Sequence, residues 1–310
     1  MGNYIIKRLL LMIPTLLIVA LAIFMLMSLT EIDPGRLLLG DAASQEDVDA
    51  KNSEFGLDKP APVQFFNYVK NIVLNGDFGN SWFTRKTVAD ELFARIPTSL
   101  KLATLGMLVT LVVGVPLGIL SAVKQYSFLD TFSRISAMII AALPSFWLGL
   151  LLLLLFALKL GWLPTSGDKS FLNFIMPMIA LGLPHAASML RLTRSSMLET
   201  IRADYIRTAM AKGVPKGKVI LSHALRNALL PIITQTGLQF GAMVGGSVVT
   251  EKVFAMPGLG TKLVDSVKQC DVPLVVGTCL IISITYSFVM LAVDLLYAYV
   301  DPRIKAKYSK

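Results

Sequence analysis

The hydrophobic residues of this chain are gathered into long blocks, and polar segments separate the blocks. A helix needs about 20 consecutive apolar residues to cross the hydrocarbon layer of a bilayer, and it satisfies its own backbone hydrogen bonds there. The pattern therefore predicts an all-α, polytopic membrane protein. Six transmembrane helices are predicted, at residues 9–29, 102–123, 135–158, 172–190, 229–249 and 274–300.

Several of these blocks contain residues that disturb or tighten helix packing. Pro144 interrupts the third block and predicts a kink, because proline lacks the backbone N–H that an inner helical turn needs. On the fifth block, glycines recur every four positions, at Gly237, Gly241 and Gly245. That spacing places them on one side of a helix and predicts a close helix contact there, within the chain or with a partner.

The segment between the first two blocks, residues 31–95, is mixed in character and net acidic in its first half. Residues 63–74 have the spacing of an amphipathic helix, and a turn follows at residues 75–79. The segment therefore predicts a small ordered cap outside the membrane. The apolar positions predicted near one face of its helix are Val63, Phe66, Val69, Val73 and Leu74.

The connector between the fourth and fifth blocks, residues 199–231, is long and basic. It predicts two short helices joined at Gly213, because glycine adopts the left-handed conformation that ends a helix without strain. Pro215 suits the first turn of the second helix, which is predicted to run to about Leu229. An apolar stripe on the first helix is predicted at Leu198, Ile201, Tyr205 and Ala209.

Composition and charge agree with a membrane protein. The chain is 55% hydrophobic and 16% charged, whereas a soluble domain is about 45–50% apolar and about 25% charged. A net charge of +9 could indicate a nucleic-acid partner, but the basic residues lie beside the apolar blocks, as expected for cytoplasmic loops. We therefore predict a membrane-lipid environment and no nucleic-acid partner.

The distribution of basic residues also predicts the orientation of the chain. Lys7 and Arg8 precede the first block, residues 199–231 are basic, and basic residues recur in the tail at 301–310. With six spans these three regions share one side, which must be the cytoplasm. The N- and C-termini are then cytoplasmic, and the acidic segment 31–95 lies outside. The first block is too long for a signal peptide, so we interpret it as an uncleaved span.

The chain shows no pattern of its own for catalysis or nucleotide binding. The nearest approach to a phosphate-binding loop, residues 213–219, is one residue short, and Val219 stands where a hydroxyl would hold magnesium. His185 and His223 are far apart, and Cys270 and Cys279 fit neither a metal spacing nor a disulfide framework. We predict no catalytic residues, no metal site and no cofactor in this chain, which is therefore not itself an enzyme.

Asp294 is the one acid clearly inside an apolar block, the last one. A carboxylate within a membrane span is a functional hypothesis by default, and it would support an ion- or proton-coupled carrier. Such carriers place charged or broken-helix sites near the middle of the membrane, and the sequence has no such group of residues. We interpret Asp294 as a capping or ion-pair residue near Arg303.

The connector carries the pattern E-x3-A-D-Y-I-R-T-A-x-A-K-G and ends in R-N-A-L-L-P. It resembles the coupling motif of permease subunits of bacterial ATP-binding-cassette (ABC) importers. Stretches along nearly the whole chain, including YIIKRLLLMIPTLL, NGDFGNSW, LPSFWLGLLLLLLFALKLGWLPTSG and VFAMPGLG, are similar to the B-type permease of the dipeptide/oligopeptide branch. One departure is E-I-D-P-G-R at residues 31–36, where the branch usually has a P-G-D-P-type sequence.

The resemblance implies a type I ABC importer permease fold with three regions. Residues 1–97 would form the N-terminal span and external segment, residues 98–300 the permease core, and residues 301–310 a cytoplasmic tail. Residues 199–231 would be the coupling element on which the ATPase docks, and residues 253–260 would lie on the outer side near the path. The coupling residues implied are Glu199, Arg202, Ala203, Asp204, Tyr205, Arg207, Ala209, Lys212 and Gly213.

The resemblance also implies partners, location and cargo. A second homologous permease would complete a heterodimer, two ATP-binding-cassette subunits would bind ATP and magnesium, and an external solute-binding protein would deliver the cargo. The location would be the bacterial cytoplasmic (inner) membrane. The cargo would be dipeptides or oligopeptides, with nickel or a metal chelate as the alternative within the branch. Polar residues of the fifth span that could line a peptide path are Thr234, Gln235 and Gln239.

Overall fold

A computed structural model of the chain describes residues 2–30 and 32–300. The regular secondary structure of this part is helical, apart from one isolated antiparallel bridge between Asn80 and Thr87. Glu31 and the predicted tail at 301–310, which includes Arg303, lie outside the described residues. The helices are α1 (Gly2–Ser28), α2 (Pro34–Leu39), α3 (Gln45–Glu54), α4 (Ala61–Asn75), α5 (Val88–Phe93), α6 (Ile96–Val123), α7 (Phe128–Ala142), α8 (Ser145–Leu152, continued as a π-helix over Leu153–Lys159), α9 (Leu172–Ile201), α10 (Asp204–Ala211), α11 (Lys216–Lys218, continued as a π-helix over Val219–Ala224), α12 (Leu225–Gly246), α13 (Val248–Val253), α14 (Leu259–Lys268) and α15 (Val272–Val300).

Five stretches of the described chain are long and apolar enough to cross a membrane, and each overlaps one of the predicted spans. This confirms the all-helical, multi-pass architecture. They are Ile5–Ser28, Val88–Val123, Leu172–Ile201, Lys216–Gly246 and Val272–Leu295.

The third predicted span, residues 135–158, is not a single straight helix. Phe128–Ala142 and Ser145–Lys159 meet at a bend of 100°, so they form one broken span or a re-entrant pair. The cause lies at Pro144: Leu143 before it is extended, at ψ 130°, because a residue that precedes proline is pushed out of the helical region. The kink predicted at Pro144 is therefore a full break.

The centre of the bundle is the contact between α6 and α9. Thr110 of α6 sits between the two backbones, and its hydroxyl lies 3.0 Å from the carbonyl oxygens of both Gly106 and Gly182. Gly182 is close enough to α6 that any β-carbon there would collide with the Gly106 carbonyl. The two helices are therefore packed backbone to backbone and behave as one unit.

The glycine stripe of the fifth span packs within the chain, against α15. A β-carbon at Gly237 would collide with Val293, and one at Gly241 would collide with the ring of Tyr286. Gly245 is more open, with Ile282 3.8 Å from its β-carbon position. The predicted close contact is confirmed and is an intramolecular one.

The first and last spans are joined by an ion pair at one end of the bundle. Arg8 of α1 and Asp294 of α15 approach to 2.6 Å. The interpretation of Asp294 as an ion-pair residue is supported by this contact with Arg8, while Arg303 lies outside the described residues. The contact places the start of α1 and the last turns of α15 at the same end of the molecule.

The amphipathic helix predicted at residues 63–74 forms as α4. Phe65, Tyr68 and Ile72 of α4 pack on the cluster around Phe24 and Val272. The positions predicted as its apolar face are largely exposed, at 44% for Val63, 66% for Phe66, 73% for Val73 and 68% for Leu74. α4 thus has apolar residues on two sides, and it packs through Phe65, Tyr68 and Ile72.

The turn after α4 is fastened to the start of α15. Asp271 is fully buried, and its carboxylate accepts a hydrogen bond of 2.6 Å from the Ser81 hydroxyl. Burial raises the pKa of Asp271, and the bonds from Ser81 and from backbone N–H groups oppose that shift. The segment between the first two spans is therefore ordered, as predicted, and its location outside the membrane stays a prediction.

Candidate functional site

The coupling element predicted at residues 199–231 begins where α9 ends. Ile201 is the last residue of α9, and Ala203 is extended at φ −70° and ψ 148° before α10 starts at Asp204. The chain therefore turns at Arg202–Ala203 instead of continuing one helix. This break changes the register of every residue that follows it.

A small buried cluster holds α10 against the rest of the bundle. Ile206 of α10 is 1% exposed and packs with Met197 of α9, Val219 and Ala224. Burying an isoleucine side chain contributes about 1.5–3 kcal/mol. Ile206 is thus the anchor of α10.

The predicted stripe is only partly correct. Leu198, Ile201 and Ala209 are half-buried against this cluster, but Tyr205 is 43% exposed. The prediction missed Ile206 because it counted helical spacing through Arg202–Ala203 as though α9 and α10 were one helix. Asp204 could have revealed the break, since an acidic residue is typical of the first turn of a helix.

Two further contacts fix the position of α10. The Asn227 side-chain N–H donates a 2.8 Å hydrogen bond to the Tyr205 hydroxyl, which ties α10 to α12. Gly213 ends the α10 region in the left-handed conformation, at φ +81°. Its N–H donates to the Met210 carbonyl at 2.9 Å, so the predicted glycine turn is confirmed.

The second helix begins as predicted but does not end near Leu229. Pro215 precedes α11 with φ −58°, and the helix then runs unbroken over Lys216–Gly246 into the fifth span. Pro231 lies inside α12 and does not stop it. Proline removes one backbone donor, and the flanking turns of a membrane helix can absorb that loss.

The outer surface of α10 is charged and open. The side chains of Asp204 and Arg207 are 97% and 75% exposed, and their 3.8 Å ion pair is too solvated to hold either one firmly. Met210 is 47% exposed beside them, and Lys212 is exposed as well. This surface has no partner among the described residues.

Glu199 and Arg202 do not belong to that surface. They face a cavity of about 540 Å³ between α9 and α7. Arg202 also donates from Nη2 to the side-chain oxygen of Gln125, at 3.2 Å. The structure thus divides the predicted coupling residues into an exposed set on α10 and a set beside this cavity.

The three predicted path residues do not share one surface. Gln235 and Gln239 are four residues apart on α12, whereas Thr234 lies about 140° around the helix from Gln239. The Thr234 hydroxyl donates to the Leu230 carbonyl at 3.0 Å. Gln239 is 5% exposed, and its amide N–H reaches the His185 carbonyl at 3.4 Å. In this conformation Gln239 is packed between α12 and α9.

Sequence reasoning missed Glu251, which organises the segment 253–260. Glu251 is fully buried and accepts hydrogen bonds from the hydroxyls of Ser99 at 2.7 Å and Ser247 at 2.9 Å, and from the backbone N–H of Thr261 at 2.9 Å. A β-carbon at Gly258 would collide with its carboxylate. The M-P-G-L-G sequence around that glycine was the available signal.

No group of three histidine, cysteine or acidic side chains lies close enough to hold a metal ion within 2–30 and 32–300. Cys270 and Cys279 are both free thiols.

The chain is similar to known transport proteins. Residues 114–306 match the family described as "Binding-protein-dependent transport system inner membrane component", and residues 1–103 match the N-terminal part of such components. The "Glutathione transport system permease protein GsiC" of Escherichia coli (strain K12) is 43% identical over 307 residues, covering 99% of this chain and 100% of that protein. The protein of the same name from Salmonella typhimurium is also 43% identical over 307 residues, with the same coverage.

A solved structure shares the fold. It is an inward-facing conformation of the MetNI methionine ABC transporter, with a TM-score of 0.57 and 16% identity, covering 67% of this chain and 95% of that one. A second crystal form of that transporter gives a TM-score of 0.55 with 18% identity, covering 68% of this chain and 96% of that one.

Proposed function

Because the chain belongs to the family of binding-protein-dependent transport system inner membrane components, we propose that it imports small peptides as one permease of an ABC importer. Membership makes it a multi-pass inner-membrane permease subunit that works with ATPase and binding-protein partners. The family matches and the whole-length relatives are permease proteins, and no ATP-binding domain is matched within the chain. The importer-permease fold agrees with this.

The coupling surface is the exposed side of α10. The observation that carries this proposal is a short charged helix held by one buried residue, Ile206, and by the Tyr205–Asn227 hydrogen bond. A helix that is firmly attached to the bundle yet presents Asp204 and Arg207 to solvent can pass a push from a soluble partner into the membrane. The proposed coupling residues on and around α10 are Ala203, Asp204, Tyr205, Arg207, Ala209, Lys212 and Gly213, and Glu199 and Arg202 just before α10 complete the proposed set.

The other components of the importer are proposed from the resemblance to the family. Two ATP-binding-cassette subunits would bind ATP and magnesium, and one of them would dock on α10. A second, homologous permease would complete the path, to which Thr234, Gln235 and Gln239 would contribute once the subunits meet. Residues 1–97 would form the N-terminal region with its external cap, and residues 98–300 the permease core.

Both termini are proposed to be cytoplasmic. The Arg8–Asp294 ion pair supports this, because it holds the start of α1 and the end of α15 together at one end of the bundle. The basic connector before α12 indicates which side of the membrane is cytoplasmic, since Lys and Arg concentrate in cytoplasmic loops.

The proposed cargo is a small peptide. Two observations support it: the resemblance of the sequence to the dipeptide/oligopeptide branch, and relatives named for glutathione transport, glutathione being a tripeptide. A peptide of this size is zwitterionic, so both its carboxylate and its ammonium group can form charge-assisted hydrogen bonds with charged side chains.

Uptake by cells tests this function directly. The gene for this chain is deleted, and accumulation of radiolabelled glutathione and of a radiolabelled alanine tripeptide is compared with cells in which the chain is restored. We expect accumulation of at least one probe to fall to background on deletion and to need intracellular ATP. Uptake that survives deletion would refute the proposal. Uptake that needs the chain but collapses with a protonophore while ATP is kept would favour an ion-coupled carrier.

A further inference from the structure

The cavity between α7 and α9 has a surplus of positive charge. It is lined by four arginines, Arg134 on α7 and Arg191, Arg194 and Arg202 on or just after α9. The one carboxylate in its lining is Glu199. Arg134, Arg191 and Arg202 are exposed, so their guanidinium groups are open to solvent and accessible to an anion.

One of these arginines is already neutralised. Arg194 makes a double contact with Asp130 of α7, with Nε 2.8 Å from Oδ1 and Nη2 2.9 Å from Oδ2. Asp130 is fully buried and is held by the Ser121 hydroxyl at 2.5 Å and the Tyr126 backbone N–H at 3.0 Å. This pair fastens α7 to α9 and leaves the charge of the cavity to the other arginines.

The other three arginines have no carboxylate bound to them among the described residues. Arg202 donates to the neutral Gln125, and Arg191 donates to the Ser188 hydroxyl at 3.3 Å. Arg134 makes no ion pair within the described part of the chain. Three guanidinium groups therefore face one carboxylate, Glu199.

The size and position of the cavity indicate a small organic anion. Its volume of about 540 Å³ falls within the roughly 300–1,000 Å³ typical of small-molecule sites. Met138 and Leu198 give part of it an apolar wall. Arg191 lies ten residues before the end of α9, about 15 Å along the helix axis, so the cavity runs from the coupling element toward the membrane bundle.

We propose that this cavity binds the transported peptide on the cytoplasmic side of its route, with Arg134 and Arg191 holding its carboxylates. This inference rests on the proposed function and extends it to a substrate site. Guanidinium groups bind carboxylates through paired, charge-assisted hydrogen bonds, and Glu199 is placed to receive the peptide ammonium group. A zwitterionic peptide that carries an additional carboxylate fits a lining of three guanidinium groups and one carboxylate.

The site would also connect cargo with the coupling element. Glu199 and Arg202 line the cavity and lie within five residues of Asp204, where α10 begins. A peptide held there touches the segment that carries α10. The cargo and the coupling element would thus contact the same segment of the chain.

Binding to the purified full chain in detergent tests the proposal. Binding is measured by microscale thermophoresis. The probes are glutathione, glutathione diethyl ester, inorganic phosphate and phosphatidylglycerol. The variants are Arg134→Gln, Arg191→Gln and Arg134→Lys, with Lys124→Gln as a matched control. Lys124 is exposed just after α6 and does not line the cavity. Each variant is first checked for an unchanged helical signal and elution volume.

We expect glutathione to bind and the diethyl ester to bind at least about tenfold more weakly. Each glutamine variant should bind glutathione about tenfold more weakly than wild type, since a hydrogen bond to a charged group contributes roughly 1.5–3 kcal/mol. Arg134→Lys should lose less affinity, because lysine keeps the positive charge but lacks the two parallel N–H donors of the guanidinium group. Lys124→Gln should bind glutathione with wild-type affinity. No binding by the wild type, equal binding of the ester, or equal loss in the Lys124 control would overturn the site.

Two further outcomes would assign the cavity to another ligand. Displacement of glutathione by phosphatidylglycerol but not by phosphate would make it a lipid headgroup site. Phosphate binding as tight as that of glutathione would make it a general anion site. Either result overturns the peptide assignment while leaving chain-dependent uptake in cells intact, so failure of this site is distinguishable from failure of the proposed transport function.

Discussion

Gly213 provides a strict test of the coupling element because its role is confined to the backbone. Its φ is +81°, and a β-carbon placed there would meet nothing within 4 Å. A Gly213→Val change therefore adds no collision and only forces a β-branched residue into the left-handed region, which costs about 1–3 kcal/mol. The turn must relax, and α10 moves relative to the helix that begins at Lys216.

The chain supplies a matched control four residues away. Gly217 also has open space around its β-carbon position, but its φ lies outside the left-handed range. Gly217→Val adds the same side chain to the same exposed segment without that strain. Gly213→Asn is a second control, because asparagine tolerates the left-handed conformation better than other non-glycine residues.

A cost of about 2 kcal/mol corresponds to roughly a 30-fold fall in the population of the native turn. We expect Gly213→Val to lower peptide uptake per ATP hydrolysed by at least fivefold in proteoliposomes of the assembled complex, while Gly217→Val and Gly213→Asn stay within about twofold of wild type. Chain abundance in the membrane should be equal in all four. If the two valine variants behave alike, the backbone argument fails.

Three other substitutions test the packing that supports the site. Ile206→Ala removes the anchor of α10 and should destabilise that helix locally by about 2–5 kcal/mol. We expect faster amide hydrogen exchange in α10 while the membrane spans stay protected. Exchange in α10 at the wild-type rate would contradict the anchor role. Asp130→Asn should destabilise the chain by about 3 kcal/mol in thermal unfolding, because it leaves the Arg194 charge poorly compensated. The double variant with Arg194→Gln should recover part of that stability. If the losses of the two single variants simply add, the two residues do not act as a coupled pair. Gly241→Leu should separate α12 from α15, because it drives a side chain into Tyr286; an unchanged unfolding midpoint in detergent would refute the close contact.

Apolar block length predicted most of the architecture, because crossing a bilayer requires a fixed length of helix. It could not predict the 100° bend at Pro144, since hydropathy contains no information on the direction in which a helix runs. The ion pair of Arg8 with Asp294 was also beyond it, because pairing between the first and last spans depends on how the bundle closes. The close packing at Gly237 and Gly241 could be predicted, since a four-residue glycine repeat in a membrane helix typically marks a close helix–helix contact.

At the candidate site, the turn residues were predictable and the anchor was not. Gly213 and Pro215 have backbone preferences that act locally, so their roles could be assigned from sequence. Ile206 depends on the register after the break at Arg202–Ala203, which changes which positions face inward. Buried polar groups such as Glu251 depend on partners far away in sequence, here Ser99, and a single sequence does not indicate such pairs.

The contacts around α9 show how a displacement of α10 could travel, on the proposed function. α9 is one continuous helix from Leu172 to Ile201, and α10 is fastened to its end through Ile206 and Met197. The glycine contacts bind α9 to α6 backbone to backbone, so those two helices must move together. The Asp130–Arg194 pair then ties α7 to the same unit, directly beside the arginine cavity. A push on α10 would therefore move both walls of that cavity as one body, and opening or closing it would require a partner surface that does not move with α9. The second permease of the importer is the component that can supply that surface.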